Sequence, residues 1–311
     1  MAAEKTTFFS LLKNFFFIML FLQFAPSFFS DIKNKIDDRM SKKTNIGCIP
    51  LQGEIRSATW FLRHVKKFSD DKNIEALWIK INSPGGFPAA SQAMHYGLLE
   101  ARKKKPVFVE IQDWACSGGY YVAAAADKII ALPSSLVGNI GVLMQLIHLK
   151  KSMEYLNMNV EYIKSGKYKA TGNKFTDLTP EQRLYLQGTS DDMYKQFTED
   201  VAKQRNLSLK NLASWADGKA LTGNQALKQG LIDRVGSTEE VNQEIKKALN
   251  SDSEIKMIYP DPPSFLSRMM GEDDRESQET SMKCTITEIL SLFTSCLNTR
   301  QIHSANILIP S

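Results

Sequence analysis

The sequence predicts an α/β protein built on a parallel-rich sheet. Two observations carry that class: apolar runs of strand length alternate with stretches of helical periodicity from Gly47 to about Leu249, and two of the strands end in glycine turns. A chain of 311 residues with 43% hydrophobic and 23% charged side chains has material for a core of ordinary size.

The elements follow in order. "GCIPLQG" from Gly47 is a short apolar strand, "SATWFLRHVKKFSD" has helical spacing, and "IEALWIKINSPGG" is a buried strand running into a glycine turn. "AASQAMHYGLLEARKKK" is helix and "PVFVEIQDWA" is strand. "CSGGYYVAAAAD" then turns into a helix. "KIIALP" and "IGVLMQ" read as strands, "KKSMEYLN" as helix and "VEYIKSG" as strand. A loop leads to the long helix "PEQRLYLQGTSDDMYKQFTEDVAKQR", with Thr179 as cap, Pro180 at the first position and Glu181 and Gln182 in the first turn. "LIDRV" is a last strand. Beyond about Leu249 the polar, Pro-containing stretches "SDSEIKMIYPDPPSF" and "GEDDRESQETS" read as a flexible tail.

The N-terminus carries an apolar run of about 15 residues from Phe15 to Phe29, followed by the polar "SDIKNKIDDRMSKKTN". That run falls between a signal-peptide core and the roughly 20 residues of a spanning helix. No small-x-small cleavage site follows it, which favours a retained anchor. Lys33, Lys35, Arg39, Lys42 and Lys43 outnumber Lys5 and Lys13, and a positive-inside count therefore places the rest of the chain on the cytoplasmic face.

Composition narrows the functional classes. The net charge is +5, the lysines are scattered, and no basic stripe alternates with aromatics, which argues against nucleic acid. A weak preference for anionic membrane surfaces is equally compatible with that charge. Cys48, Cys116, Cys284 and Cys296 lack the spacing of a zinc site. Cys116 reads as a buried structural thiol. Cys284 and Cys296 could pair in an oxidising compartment.

The chemistry concentrates at two strand ends, "INSPGG" and Ser117 with Gly118 and Gly119. In a parallel sheet the carboxyl ends of neighbouring strands share one edge, where catalytic turns are placed. Glycines there let backbone N–H groups approach a ligand, as an oxyanion hole requires, and a hydroxyl beside them is a candidate nucleophile. Its base is less evident. None of His64, His95, His148 and His303 lies in a glycine turn, although the members of a Ser/His/Asp triad need only meet in space. Lysine is the other partner known for serine, once burial disfavours its charged form. Lys169 is the candidate, with Lys164, Lys167 and Lys174 as rivals on the same loop.

"INSPGG", "SGGYYVAAAADKIIALPSSLVGNIGV", "GKYKATGNKFTDLTPEQR" and "GKALTGNQALKQGLID", in that order and spacing, resemble the signal peptide peptidase A family of serine proteases. The resemblance spans about residues 46 to 250. It implies a crotonase-like fold shared with the Clp protease proteolytic subunit. It also implies a Ser/Lys dyad, with the serine on Ser117 and the lysine on Lys169, and oxyanion donors at Gly118 and at Gly85 or Gly86. No metal or organic cofactor is needed for such chemistry. The family implies peptide substrates such as signal peptide remnants and unfolded chains, and homo-oligomeric rings in which one subunit's lysine reaches a neighbour's serine. Its setting is the bacterial inner membrane, with the catalytic domain commonly on the outer face, against the charge count above.

On this reading residues 1–30 are an anchor or signal, 31–45 a linker, 46–250 the protease domain and 251–311 the tail. Two departures concern how Lys169 is held: Ala170 stands where the family often has serine, and "NKFTD" stands where it often has an arginine. Two other readings compete. An acyl-CoA-handling crotonase relative would use the same paired N–H groups without Ser117 or Lys169, and a catalytically silent, membrane-anchored scaffold would bind peptides in the same cleft.

Overall fold

The computed structural model describes residues 43–261 together with positions 13, 15, 16 and 19. The predicted anchor at 1–30, most of the linker, the tail beyond 261 and the Cys284–Cys296 pair lie outside the described residues, those four positions aside. Among the described residues no helix is long and apolar enough to cross a membrane.

The centre of the fold is three parallel strands, β1 (Lys43–Ile55), β2 (Ala76–Gly86) and β3 (Val107–Cys116). Helix α1 (Thr59–Asp70) joins the first pair and α2 (Pro88–Arg102) the second. These strands form because their apolar runs bury both faces. Leu77, Ile79 and Ile81 of β2 enter one core cluster while Ala76 and Trp78 enter another on the opposite face, as period-two alternation requires. Phe61, Val65 and Phe68 of α1, and Met94, Leu98 and Ala101 of α2, recur at helical spacing and cover the first face.

After β3 come α3 (Gly118–Ala123), β4 (Lys128–Ala131) and β5 (Leu136–Gly138). β4 pairs with the start of β3 and β5 with its end. Next are α4 (Lys150–Tyr155), the long α5 (Pro180–Arg205), α6 (Leu212–Trp215), β6 (Ala220–Thr222), α7 (Gly223–Lys228), β7 (Arg234–Val235), α8 (Thr238–Leu249) and β8 (Glu254–Ile258). The sheet runs β6-β5-β3-β2-β1-β8, with β4 bridging β3 and β7. Among the described strands only the β5–β6 pair is antiparallel. Val241 and Ile245 of α8 close the second face over Ile46, Trp78 and Phe108.

The α/β class and the parallel-rich sheet are as predicted, and α5 begins at its predicted cap. Thr179 accepts from the Gln182 N–H and the Gln182 side chain accepts from the Thr179 N–H, a reciprocal capping box. Three elements differ. "IGVLMQ" and "VEYIKSG" are not strands; the ladder uses Leu136–Gly138 instead. β8 lies in the stretch read as tail, where it pairs in parallel with Lys43–Gly47 of β1. Its Ile255 and Met257 pack against the second cluster, and that contact offsets the polar flanks that suggested tail.

Parallel packing brings the carboxyl ends of β2, β3 and β5 to one edge. Register shifts between Gln52 and Glu54 and between Ile81 and Ser83 bend the strand ends there.

Candidate active site

Ser117 follows the last residue of β3 and precedes the first of α3. Its φ is 50° and ψ −123°, a backbone conformation that side chains rarely adopt and that costs on the order of 1–3 kcal/mol. Hydrogen bonds on both sides hold it there. The Ser117 N–H donates to the Gly138 carbonyl at 2.7 Å, and the Ser117 carbonyl accepts from the Tyr121 N–H at 2.9 Å. A serine on a strained strand-to-helix turn is the arrangement of a nucleophile elbow, with Gly119 two residues on leaving room for the turn.

The two glycine turns meet backbone to backbone. A methyl group built on Gly85, whose φ is 104°, would stand 2.8 Å from Ser117 Cβ and 2.7 Å from the Gly118 nitrogen. One on Gly118 would stand 2.2 Å from Ser91 Oγ and 3.3 Å from the Gly86 nitrogen. One on Gly119 would stand 2.8 Å from the Ser83 carbonyl. The structure therefore gathers Ser117, Gly118, Gly85 and Gly86.

It also distinguishes the last two. The Gly85 N–H donates to Ser83 Oγ at 3.2 Å, and Ser83 Oγ donates to the Gly53 carbonyl at 2.6 Å, so Gly85 is buried and its donor is used internally. The Phe87 N–H donates to the Ile55 carbonyl at 2.8 Å, and the Gly86 nitrogen lies beside Gly118, 3.3 Å from where a Gly118 methyl would stand. Gly86 is exposed.

Behind the turn, α3 is anchored by its two tyrosines. Tyr120 is fully buried and donates to the Leu231 carbonyl at 2.7 Å. Tyr121 donates to Asp200 of α5 and stacks on Phe197 with centroids 4.5 Å apart. Burial and the neighbouring Asp200 carboxylate push the Tyr121 hydroxyl far above its ordinary pKa. His95 Nδ1 is 2.7 Å from the Tyr121 carbonyl, which can only accept, so Nδ1 carries the proton. Its Nε2 is buried with no hydrogen-bond partner among the described residues, and burial lowers the ring's pKa. His95 is thus a structural neighbour of α3. His64 Nδ1 bonds the Trp60 carbonyl within α1, and His148 is exposed.

Lys169 lies on an arm that leaves the sheet after β5 and returns at α5. From 141 to 180 no residue is buried. Lys169 is exposed, and within the described residues no hydrogen bond or ion pair joins its Nζ to Ser117 or to any other group. Its rivals differ. Lys167 pairs with Glu181 at 2.5 Å, which raises its pKa, Lys164 reaches the Lys167 carbonyl at 3.4 Å, and Lys174 lies 5.3 Å from the Phe175 ring centre. Asn173 shapes the loop after Lys169 by donating to the Ala170 carbonyl and accepting from the N–H groups of Phe175 and Thr176.

Sequence reasoning missed Ser83, Ser91 and the Tyr121–Asp200 contact. The signal for the serines was small polar residues at positions where the pattern demanded burial.

A family model described as Peptidase family S49 matches residues 100–252. Two relatives carry the name "Putative protease". One, of Synechocystis, is 32% identical over 240 residues, covering 76% of this chain and 87% of that protein. The other, of Methanocaldococcus jannaschii, is 37% identical over 195 residues, and the match spans 63% of each. A protein of Enterococcus faecium named "Putative signal peptide peptidase SppA" is 29% identical over 236 residues, covering 75% of this chain and 68% of its own length. Among solved structures, the Clp protease catalytic domain of Plasmodium falciparum aligns over 62% of this chain and 86% of its own, at 17% identity and a TM-score of 0.41.

Proposed function

The chain belongs to peptidase family S49, and on that premise we propose that it is a serine endopeptidase with Ser117 as nucleophile and Lys169 as general base. The observation that carries the reading is the strained Ser117 turn, set directly against the Gly118 and Gly86 backbone.

Lys169 in its neutral form takes the Ser117 proton as Oγ attacks a peptide carbonyl. The N–H groups of Gly118 and Gly86 hold the developing oxyanion; Gly86 is preferred to Gly85 because the Gly85 donor is already used by Ser83. The lysine then returns the proton to the leaving amine, and water deprotonated by Lys169 releases the acyl group from Ser117.

A lysine acts as base only when it is removed from water. Lys169 sits on an exposed arm whose apolar residues, Leu143 at 87% exposure, Tyr155 at 82% and Ile163 at 101%, are covered by none of the described residues. We therefore place the competent state in a homo-oligomeric ring, where a second copy covers the arm and one subunit's Lys169 serves another's Ser117. The substrates on this reading are signal peptide remnants and other small or unfolded peptides. The apolar run at 15–29 supports anchoring at a bacterial inner membrane.

The test is covalent labelling of the full chain with a fluorophosphonate. Label is expected on the wild type and on Lys167→Ala, and is lost in Ser117→Ala and Lys169→Ala. Undiminished label on Ser117→Ala would overturn the assignment. No label on any form, beside a reactive control protease, would favour a peptide-binding scaffold.

A further inference from the structure

A second cleft lies on the edge of the sheet opposite Ser117. It holds about 560 Å³ between the α2–β3 turn, the first residue of β4 and the last turns of α8. Pro106 and Phe108, at the start of β3, contribute to its lining. Ser117 follows the other end of the same strand, roughly 30 Å away at about 3.3 Å per residue.

The lining is basic. Arg102, Lys103, Lys104, Lys105, Lys128 and Lys247 face only two carboxylates, Asp127 and Glu244. Both carboxylates are already engaged. Asp127 accepts from Arg102 Nε at 2.9 Å and from the Val107 N–H at 2.8 Å, while Glu244 accepts from Arg234 at 3.0 Å. Lys103 and Lys104 pair with Glu100 and Asp70, and Lys105 donates to the carbonyls of Phe68 and Asp71. Lys128 on β4 and Lys247 on α8 are exposed, and their ammonium groups have no ion pair or hydrogen bond among the described residues. Phe108 is only 1% exposed, so its ring adds almost nothing to the accessible wall of the cleft.

Two uncompensated ammonium groups in one concavity repel each other unless an anion lies between them. A tetrahedral, multiply charged oxyanion answers several such donors at once. We infer that this cleft binds a phosphate-bearing anion, held by Lys128 and Lys247. β1 begins at this same edge, so residues 1–42, which include the apolar run, join the domain on the cleft's side. The phosphate has two sources, a soluble compound or the headgroup of an anionic lipid. In the second case Ser117 is held off the bilayer surface by the length of β3.

The experiment compares the full-length wild type with K128E/K247E. One arm titrates inorganic pyrophosphate by calorimetry. The other measures co-sedimentation with vesicles of phosphatidylcholine alone or mixed with phosphatidylglycerol, and reads the difference between the two compositions, since the apolar N-terminal run can take the chain to both. Loss of two lysine contacts is expected to weaken binding on the order of thirtyfold. Pyrophosphate binding alone, lost in the variant, identifies a soluble phosphate. A preference for anionic vesicles, lost in the variant, identifies the lipid headgroup. Binding unchanged by the variant, or no binding of either probe, overturns the proposal. K128Q/K247Q decides if the charge reversal fails to fold. Fluorophosphonate labelling is expected to be unaffected by either variant, so this test and that of the peptidase reading fail independently.

Discussion

Gly85 and Ser117 are packed so closely that a methyl group on the glycine would sit 2.8 Å from the serine Cβ. The glycine has φ 104° besides, so any side chain there strains the backbone as well as displacing the turn. Gly85→Ala is expected to cost about 1–3 kcal/mol of stability. Its larger effect should fall on chemistry, with fluorophosphonate labelling slowed on the order of a hundredfold through displacement of Ser117. Gly188, mid-helix in α5, has nothing within 4 Å of such a methyl, and Gly188→Ala should leave labelling unchanged while stabilising the fold by about 0.5–1 kcal/mol. Thermal melts and labelling rates of the two variants check both. Equal labelling in Gly85→Ala and wild type would remove the packing argument.

His95 gives the fold an acid limit. Burial disfavours its charged form, Arg102 adds to that, and the Tyr121 carbonyl and Asp200 oppose it, with a net pKa below the ordinary histidine value. The unfolded chain then binds a proton that the folded chain resists. Stability from this group is complete above about pH 6.5, the ordinary histidine pKa, and declines as pH falls through and below it. Tyr96 and Tyr121, its ring neighbours, have raised pKa values and stay neutral throughout that range. His95→Asn keeps a donor for the Tyr121 carbonyl and removes the titration. Denaturant melts between pH 5 and 8 should show a flatter slope for the variant, and identical slopes would assign the pH dependence elsewhere.

How far the structure was legible depended on whether a signal was local. The capping box of α5 lies within four consecutive residues, and the helix begins where Thr179 and Pro180 said it would. "IGVLMQ" and "VEYIKSG" have strand-like composition, but a strand needs a partner and periodicity does not supply one; in the fold Leu143 and Ile163 stand in solvent. At the site, the unusual turn at Ser117 was legible because two glycines after a serine fit a helix start poorly. Gly85 and Gly86 could not be told apart, because the difference rests on Ser83 Oγ, whose position depends on the register shift after Ile81. Lys169 was the candidate among four loop lysines and the resemblance favoured it further, but a loop lysine carries no local signal of burial, and all four are exposed in the fold.

β8 makes the boundary of the domain testable. Its five residues pair with Lys43–Gly47 of β1 and bring Ile255 and Met257 onto the second core cluster. A chain ending at Asp261 keeps β8 and serves as the reference. Ending it at Asp252 uncovers the outer edge of β1 and removes three half-buried apolar side chains, Ile255, Met257 and Ile258, at a cost of about 2–4 kcal/mol and with an unpaired edge prone to self-association. Matching melts for the two truncations would return β8 to the tail.

The arm carries the last prediction, because its exposed apolar residues separate folding from assembly. Ile163 is fully exposed among the described residues, so Ile163→Asp should change the stability of the isolated subunit by no more than about 0.5 kcal/mol. If a second copy covers the arm, the same change buries a carboxylate against apolar surface, and assembly should fail. Light scattering would then report a smaller particle, and fluorophosphonate labelling would fall with it, because Lys169 would stay in water. Wild-type labelling should also drop on dilution below the assembly threshold, whereas labelling at a self-sufficient site would not. A variant that remains assembled and fully labelled would move the general base off the arm.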